Sequence, residues 1–233
     1  MELYSEYPRH LVAVDCIVFG YDILEKEIKL LLIKRSFRPA MGKWSLAGGF
    51  VMENESLDDA ASRILFQLTG LRDVYMEQSF TYGDIQRDPG ARVISTSYSA
   101  LIKIQDIDRK LKELNGAQWQ SLARLPHLIF DHRDMVSRAL NVLQMQVKVK
   151  PVGFALLPEK FTLVQLQNLY EAIYQREIDK RNFRKKILSM NLLEKLEEKE
   201  RETSKKGAFY YKFNEERYEL HKKQGFDFSL DVN

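Results

Sequence analysis

Three observations predict an α+β chain, with an N-terminal α/β/α sandwich built on a mixed sheet and a C-terminal helix-turn-helix followed by a hairpin. Strand-like and helical runs alternate from Leu11 to about residue 147. A stretch bearing Pro151, Gly153 and Pro158, KVKPVGFALLP, then interrupts them. Beyond it, two closely spaced capped helices precede a pair of strand-like runs. The expected domains are therefore 1–147 and 159–233, joined by 148–158. A length of 233 residues suits two domains, since single ones run to roughly 100–200 residues.

Within the first domain, LVAVDCIVFG (Leu11–Gly20) and IKLLLIKR (Ile28–Arg35) read as buried strands joined by a hairpin over Tyr21–Glu27. Next comes GGFVMENESLDDAASRILFQLTGL, from Gly48 to Leu71, which reads as a strand end, a glycine turn, an acidic loop and a helix. Ser56 and Asp59 have the spacing of a capping box, and Gly70 suits the left-handed position past a helix end. Leu57, Ala60, Ala61, Ile64, Leu65 and Leu68 fall on one helical face. Val74–Asp84 and Arg92–Lys103 carry the β-branched and aromatic residues of strands, with a turn at Pro89-Gly90 between them. Trp119 opens another short strand. Asp131–Gln146 places Met135, Ala139, Val142, Leu143 and Gln146 at helical spacing.

In the second domain, Thr162 and Gln165 make a capping box, with Phe161 and Leu166 spaced as a hydrophobic staple. Leu163, Leu166, Leu169, Tyr170 and Ile173 form the stripe of the first helix. A short turn, Arg176–Ile178, leads to a second helix capped by Asp179. There Phe183, Ile187 and Met190 share the inner face, and Lys180, Arg181, Arg184 and Lys185 crowd the outer one. The run from Leu192 to Tyr218 reads as two strands about a Ser-Lys-Lys-Gly turn.

Composition narrows the function. Hydrophobic residues make up 45% of the chain, enough for packed cores, and no apolar run approaches the ~20 residues of a membrane span. The N-terminal MELYSEYPRH lacks the layout of a signal peptide. Cys16, the lone cysteine, excludes an intramolecular disulfide and fits a reducing cytoplasm; as a nucleophile it is outweighed by a packing role. His127 and His132 have no Cys or His partners at zinc-ligand spacing. Net charge is +3, divided unevenly: from Lys148 onward 18 Lys/Arg face 14 Asp/Glu, a surplus of four, leaving the first 147 residues at −1.

The Gly48–Leu71 stretch resembles the Nudix box, the loop–helix signature of enzymes that hydrolyse nucleoside diphosphate derivatives. Gly49, Glu55, Arg63, Leu65, Gly70 and Leu71 keep the family pattern. Its three helix glutamates fall on Ile64, Gln67 and Leu68, none of which is acidic. Mg²⁺ needs hard oxygen ligands, and Glu53 and Glu55 on the loop substitute poorly, so the resemblance implies a Nudix-like fold without hydrolysis: no catalytic residues, no metal and no cofactor. The preceding RSFRPAMGKWSLAGGF resembles the segment that lines the family's ligand pocket, which makes Arg35, Lys43 and Trp44 candidates. The loop after Asp84 is expected at the pocket rim. The effector-binding set is Lys43, Trp44, Asp84, Arg87 and Asp88.

LPEKFTLVQLQNLYEAIYQREIDKRNFRKKIL closely resembles the winged helix-turn-helix of the Nudix-related transcriptional regulators called the NrtR family, in which a Nudix-like domain precedes this DNA-binding domain. That resemblance implies a cytoplasmic homodimeric repressor on a palindromic operator in double-stranded DNA. Lys180, Arg181, Asn182, Arg184 and Lys185 would sit on the recognition helix, with Lys205 and Lys206 on the wing. YSEYPRHLVAVDCIVFGYD looks like the sugar-responsive branch, which makes L-arabinose the expected effector. The alternatives are a regulator of NAD metabolism that senses ADP-ribose, a divergent Nudix hydrolase, and an RNA-binding or protein-interaction module.

Overall fold

The computed structural model describes residues 4–36, 38–105, 116–201, 207–226 and 228–230. The chain forms two compact units, one of Met1–Gly20 with Lys29–Ala139, the other of Tyr21–Ile28 with Leu140–Asn233.

In chain order the first strands are β1 (Leu11–Asp22), β2 (Glu27–Lys34), β3 (Trp44–Ser45), β4 (Ala47–Phe50), β5 (Glu77–Tyr82), β6 (Val93–Lys103) and β7 (Ala117–Ser121). Among the described residues they make one seven-stranded sheet in the order β3-β2-β1-β6-β5, with β4 pairing on β1 and β7 on β2. From Ala13 onward every residue of β1 is buried, which is why this strand is a near-continuous apolar run. Helix α1 (Leu57–Thr69) covers one face, where Ala60, Ala61, Ile64 and Leu65 join Val14, Cys16, Val18 and Leu31 in the core. Cys16 is buried as expected, its thiol donating to the Ala61 carbonyl at 3.6 Å. Side chains alternate along a strand, so Asp15 points to the other face. Helix α2 (His132–Val149) starts there, with His132 Nε2 3.6 Å from Asp15. Helices on both faces give the expected sandwich.

Several boundaries differ from the sequence reading, most of them by one or two residues. Strand β5 covers only Glu77–Tyr82 of the expected Val74–Asp84, β7 starts two residues before Trp119, and α2 runs on to Val149. Its buried face includes Val136 and Val147, which the periodicity left out.

The second unit contains β8 (Phe161–Thr162), α3 (Leu163–Tyr174), α4 (Lys180–Ser189), β9 (Leu193–Glu200), β10 (Ala208–Phe213) and α5 (Glu215–Lys223). Its antiparallel sheet has the order β8-β10-β9, and the β9–β10 register, from Phe213↔Leu193 to Ala208↔Glu200, shifts at a bulge between Phe209 and Tyr211. The Thr162–Gln165 capping box is present, and Phe161 and Leu166 are buried on either side of it. The turn between α3 and α4 begins at Gln175, which is left-handed at φ 55°. Side chains of α3 hold it: Gln167 Nε2 donates to the Ile178 carbonyl at 3.0 Å, and the Ile178 amide donates to Glu171 at 3.0 Å. A buried residue in a turn has no backbone partner of its own, and these two bonds supply it.

Within the stretch read as a connection, Val152–Leu156 forms a short 3-10 turn, and Phe154 stacks on Phe213 at 4.3 Å, a contact worth about 0.5–1.5 kcal/mol beyond burial. One expectation is corrected here. The second strand of the hairpin ends at Phe213, not Tyr218. Asn214 accepts from the Arg217 amide and caps α5, so the residues after it are helical. No described helix is long and apolar enough to cross a membrane.

Candidate functional site

The loop–helix of Gly48–Leu71 divides into residues that fold it and positions that lack donors. Ser56 caps α1 with Asp59 bonding back, and Gly70 closes it at φ 71°. Arg63 donates through Nε to Glu55 at 2.8 Å and through Nη2 to the Phe50 carbonyl at 3.0 Å, while the Met52 amide donates to Glu55 at 2.8 Å. These bonds, above all those from Arg63, hold the Glu55 carboxyl down at a pKa of about 2. Glu55 therefore acts as a brace between loop and helix. Ile64 is buried at 3% exposure; a side chain on Gly49 would come within 2.9 Å of its Cδ1, so the glycine admits it. Leu68 packs on the core, and Gln67 accepts from Arg63 Nη1 at 3.2 Å. Two of the three positions where helix carboxylates would hold Mg²⁺ thus present hydrocarbon, and the third an engaged amide. Among the described residues no three His, Cys, Asp or Glu side chains gather at metal-binding distance. The donor set does not fit a Mg²⁺ cluster.

A polar cluster lies on the opposite face of β1. Asp15 accepts from Ser95 Oγ at 2.6 Å and lies 3.6 Å from both Arg87 Nη2 and His132 Nε2. Arg87 grips Asp131 with two bonds of 2.8 Å, and His132 Nδ1 accepts from the Leu46 amide at 3.0 Å. Gly48 makes room for Asp15, since a Cβ there would lie 2.0 Å from its Oδ1. Burial pushes the His132 imidazole below its usual 6.5, although Asp15 pulls the other way. The unfolded chain therefore takes up that proton near pH 6.5 while the folded one resists it. Stability should fall as pH drops below about 6.5. Replacing His132→Gln, which keeps an acceptor for Leu46, should remove that slope. Identical urea midpoints against pH for both proteins would refute it.

Beside this cluster opens a cavity of about 700 Å³ lined by Tyr82, Asp84, Gln86, Arg87, Pro89, Phe130, Asp131, Asp134 and Arg138. Its size is that of a small-molecule site, and it combines two aromatic rings with convergent charges. Of the five expected effector residues, Asp84 and Arg87 line it. Asp88 is adjacent, its carboxylate accepting from the Gly90 amide at 2.7 Å. Lys43 is exposed in the turn before β3, and Trp44 pairs with Lys34 and bridges to Leu128, so neither lines this cavity. Arg35 sits by the same turn, its Nε donating to the Pro39 carbonyl at 2.9 Å. Sequence reasoning missed Asp15, Ser95, Asp131, His132 and Arg138. For Asp15 the signal was there: an acid inside an apolar strand must find a partner.

On α4 the two faces separate as expected. Phe183 and Ile187 are buried, with the Phe183 ring 5.7 Å from that of Tyr170 on α3. Lys180, Arg181, Asn182, Arg184 and Lys185 are exposed, and the Asp179 carboxylate accepts from the Asn182 amide at 2.8 Å to start the helix. Lys195 and Lys199 of β9 lie over the Phe209 ring of β10, at 3.7 and 4.4 Å. Lys205 and Lys206 lie outside the described residues. An exposed, capped, basic helix packed on a partner helix and followed by an antiparallel hairpin has the parts of a major-groove reader.

Comparison with known proteins agrees with this division. A model of the NUDIX domain matches residues 9–139, and one of the NrtR DNA-binding winged helix domain matches residues 153–213. The chain is 30% identical over 220 residues to the ADPR responsive transcriptional repressor NtrR of Acinetobacter baylyi, covering 93% of this chain and 87% of that one. It is 34% identical over 140 residues to an ADP-ribose pyrophosphatase of Methanocaldococcus jannaschii, covering 58% of this chain and 76% of the enzyme. Among solved structures it is similar to NrtR of Shewanella oneidensis complexed with a 27mer DNA, with a TM-score of 0.74 and 28% identity over 94% of this chain and 99% of that one.

Proposed function

We propose that this chain, which belongs to the NrtR family of Nudix-fused winged-helix transcriptional regulators, is a repressor that binds operator DNA as a dimer and senses ADP-ribose without hydrolysing it. The observation that carries the reading is the divided Nudix box. The bonds that fold it are intact, while Ile64, Gln67 and Leu68 stand where cleavage of a diphosphate would need carboxylates. Such a domain keeps a pocket and loses turnover. ADP-ribose is favoured over the expected L-arabinose because the comparisons lend the sugar no support, whereas two relatives carry ADP-ribose in their names. The cavity suits it chemically: Tyr82 and Phe130 offer a wall for a base, and Asp84 and Asp134 can accept ribose hydroxyls.

Thermal shift and DNA binding test the proposal. ADP-ribose should raise the melting temperature by mass action and change affinity for a selected operator duplex by about 5- to 150-fold. L-arabinose should do neither, and no Mg²⁺-dependent AMP release should be seen. A response to arabinose alone, or turnover near about 1 s⁻¹, would overturn the reading.

A further inference from the structure

Two arginines line the same cavity, and their donors are engaged differently. Arg87 is buried to 3% side-chain exposure, with Nε and Nη2 bonded to Asp131 and Asp15 close behind. Arg138 is exposed. Its guanidinium lies across the Phe80 ring at 4.7 Å and near the Tyr82 ring at 5.8 Å. Asp134 is one turn earlier on α2, a spacing that commonly allows an acid to pair with a base. Nevertheless, among the described residues Arg138 makes no hydrogen bond or ion pair.

A guanidinium resting on aromatic faces keeps its N–H edges open, and those edges form a fork that matches phosphoryl oxygens. The rings also restrict the side chain beforehand, so less conformational freedom is lost on binding. The remaining charges limit what else can bind. Asp131 is paired with Arg87, but among the described residues no cation pairs with Asp84 or Asp134 at the wall. A bare polyanion would meet repulsion there, whereas a hydroxylated sugar would find acceptors. Resting on the effector reading above, we infer that Arg138 is the specificity-determining residue of this cavity, gripping a phosphoryl group carried on a hydroxylated sugar and so separating phosphorylated effectors from neutral pentoses.

Calorimetric titration of the full chain and of Arg138→Gln and Arg138→Lys, with ADP-ribose and with ribose 5-phosphate as probes, tests this. Arg138→Gln should weaken both ligands by about 10- to 100-fold, the loss expected for charge-assisted bonds. Arg138→Lys should fall between, since it keeps the charge and loses the fork. Arg138 is exposed and its contacts among the described residues are two ring faces, so the variants should stay folded and melt close to the parent without ligand. Wild-type affinity for ADP-ribose in Arg138→Gln would overturn the anchor and leave ADP-ribose sensing intact. If ADP-ribose fails to bind the parent, sensing falls, and ribose 5-phosphate decides the anchor alone: loss in Arg138→Gln supports it, and equal binding or none to the parent overturns it.

Discussion

Arg87→Met is expected to lower the folding free energy by about 3–5 kcal/mol, the usual cost of removing one partner from a buried ion pair. The guanidinium it removes stands between two acids, Asp131 at 2.8 Å and Asp15 at 3.6 Å, with only 3% of the Arg87 side chain exposed. Methionine fills similar space but removes the cation between them, leaving the buried Asp15 with only Ser95 and His132 and the partly exposed Asp131 without its two bonds. Urea unfolding at pH 7 measures the loss. A double substitution, Arg87→Met with Asp131→Asn, should recover part of it, because one stranded charge is gone. A single-variant cost below about 1 kcal/mol would mean that water reaches the pair and that the cluster does not brace the cavity wall.

Arg184→Ala is expected to weaken binding to a selected operator by about 1–3 kcal/mol and binding to random duplex much less. Arg181 and Arg184 stand three apart on the exposed side of α4, and arginine can hold a guanine in the major groove with two hydrogen bonds. The same helix is fixed from behind by the buried Phe183 and Ile187, so which of its side chains face outward is set by the core. Anisotropy titrations of the parent and the variant against operator and scrambled duplex, at one stated salt concentration, make the comparison. Equal losses on both duplexes would show Arg184 touching phosphate only, and no loss on either would move base reading to another element.

Much of this protein was legible in its sequence because the signals are local. The Ser56–Asp59 and Thr162–Gln165 boxes, the Gly70 stop and the inner face of α4 each depend on residues within a turn or two, and each is present. Absent carboxylates at Ile64, Gln67 and Leu68 could likewise be read directly. Helix α5 was readable and missed: aromatic residues suggested a strand, while Asn214 ahead of two glutamates is a helix start.

What the sequence by itself determined is therefore the elements, their caps, which face of each is apolar, and the three helix positions of the Nudix box that carry no carboxylate. Tertiary structure alone decided the site. Ser95 reaches Asp15 across 80 residues, Leu46 reaches His132 across 86 and Arg87 reaches Asp131 across 44. Arg87, read as a ligand contact, is held by protein carboxylates, and Arg138, which no motif marks, lies open at the same wall. A charged side chain takes whichever partner the sheet and helices bring within about 4 Å, where its Coulomb energy is large. That pairing follows from strand order and helix placement, which no spacing along the chain encodes.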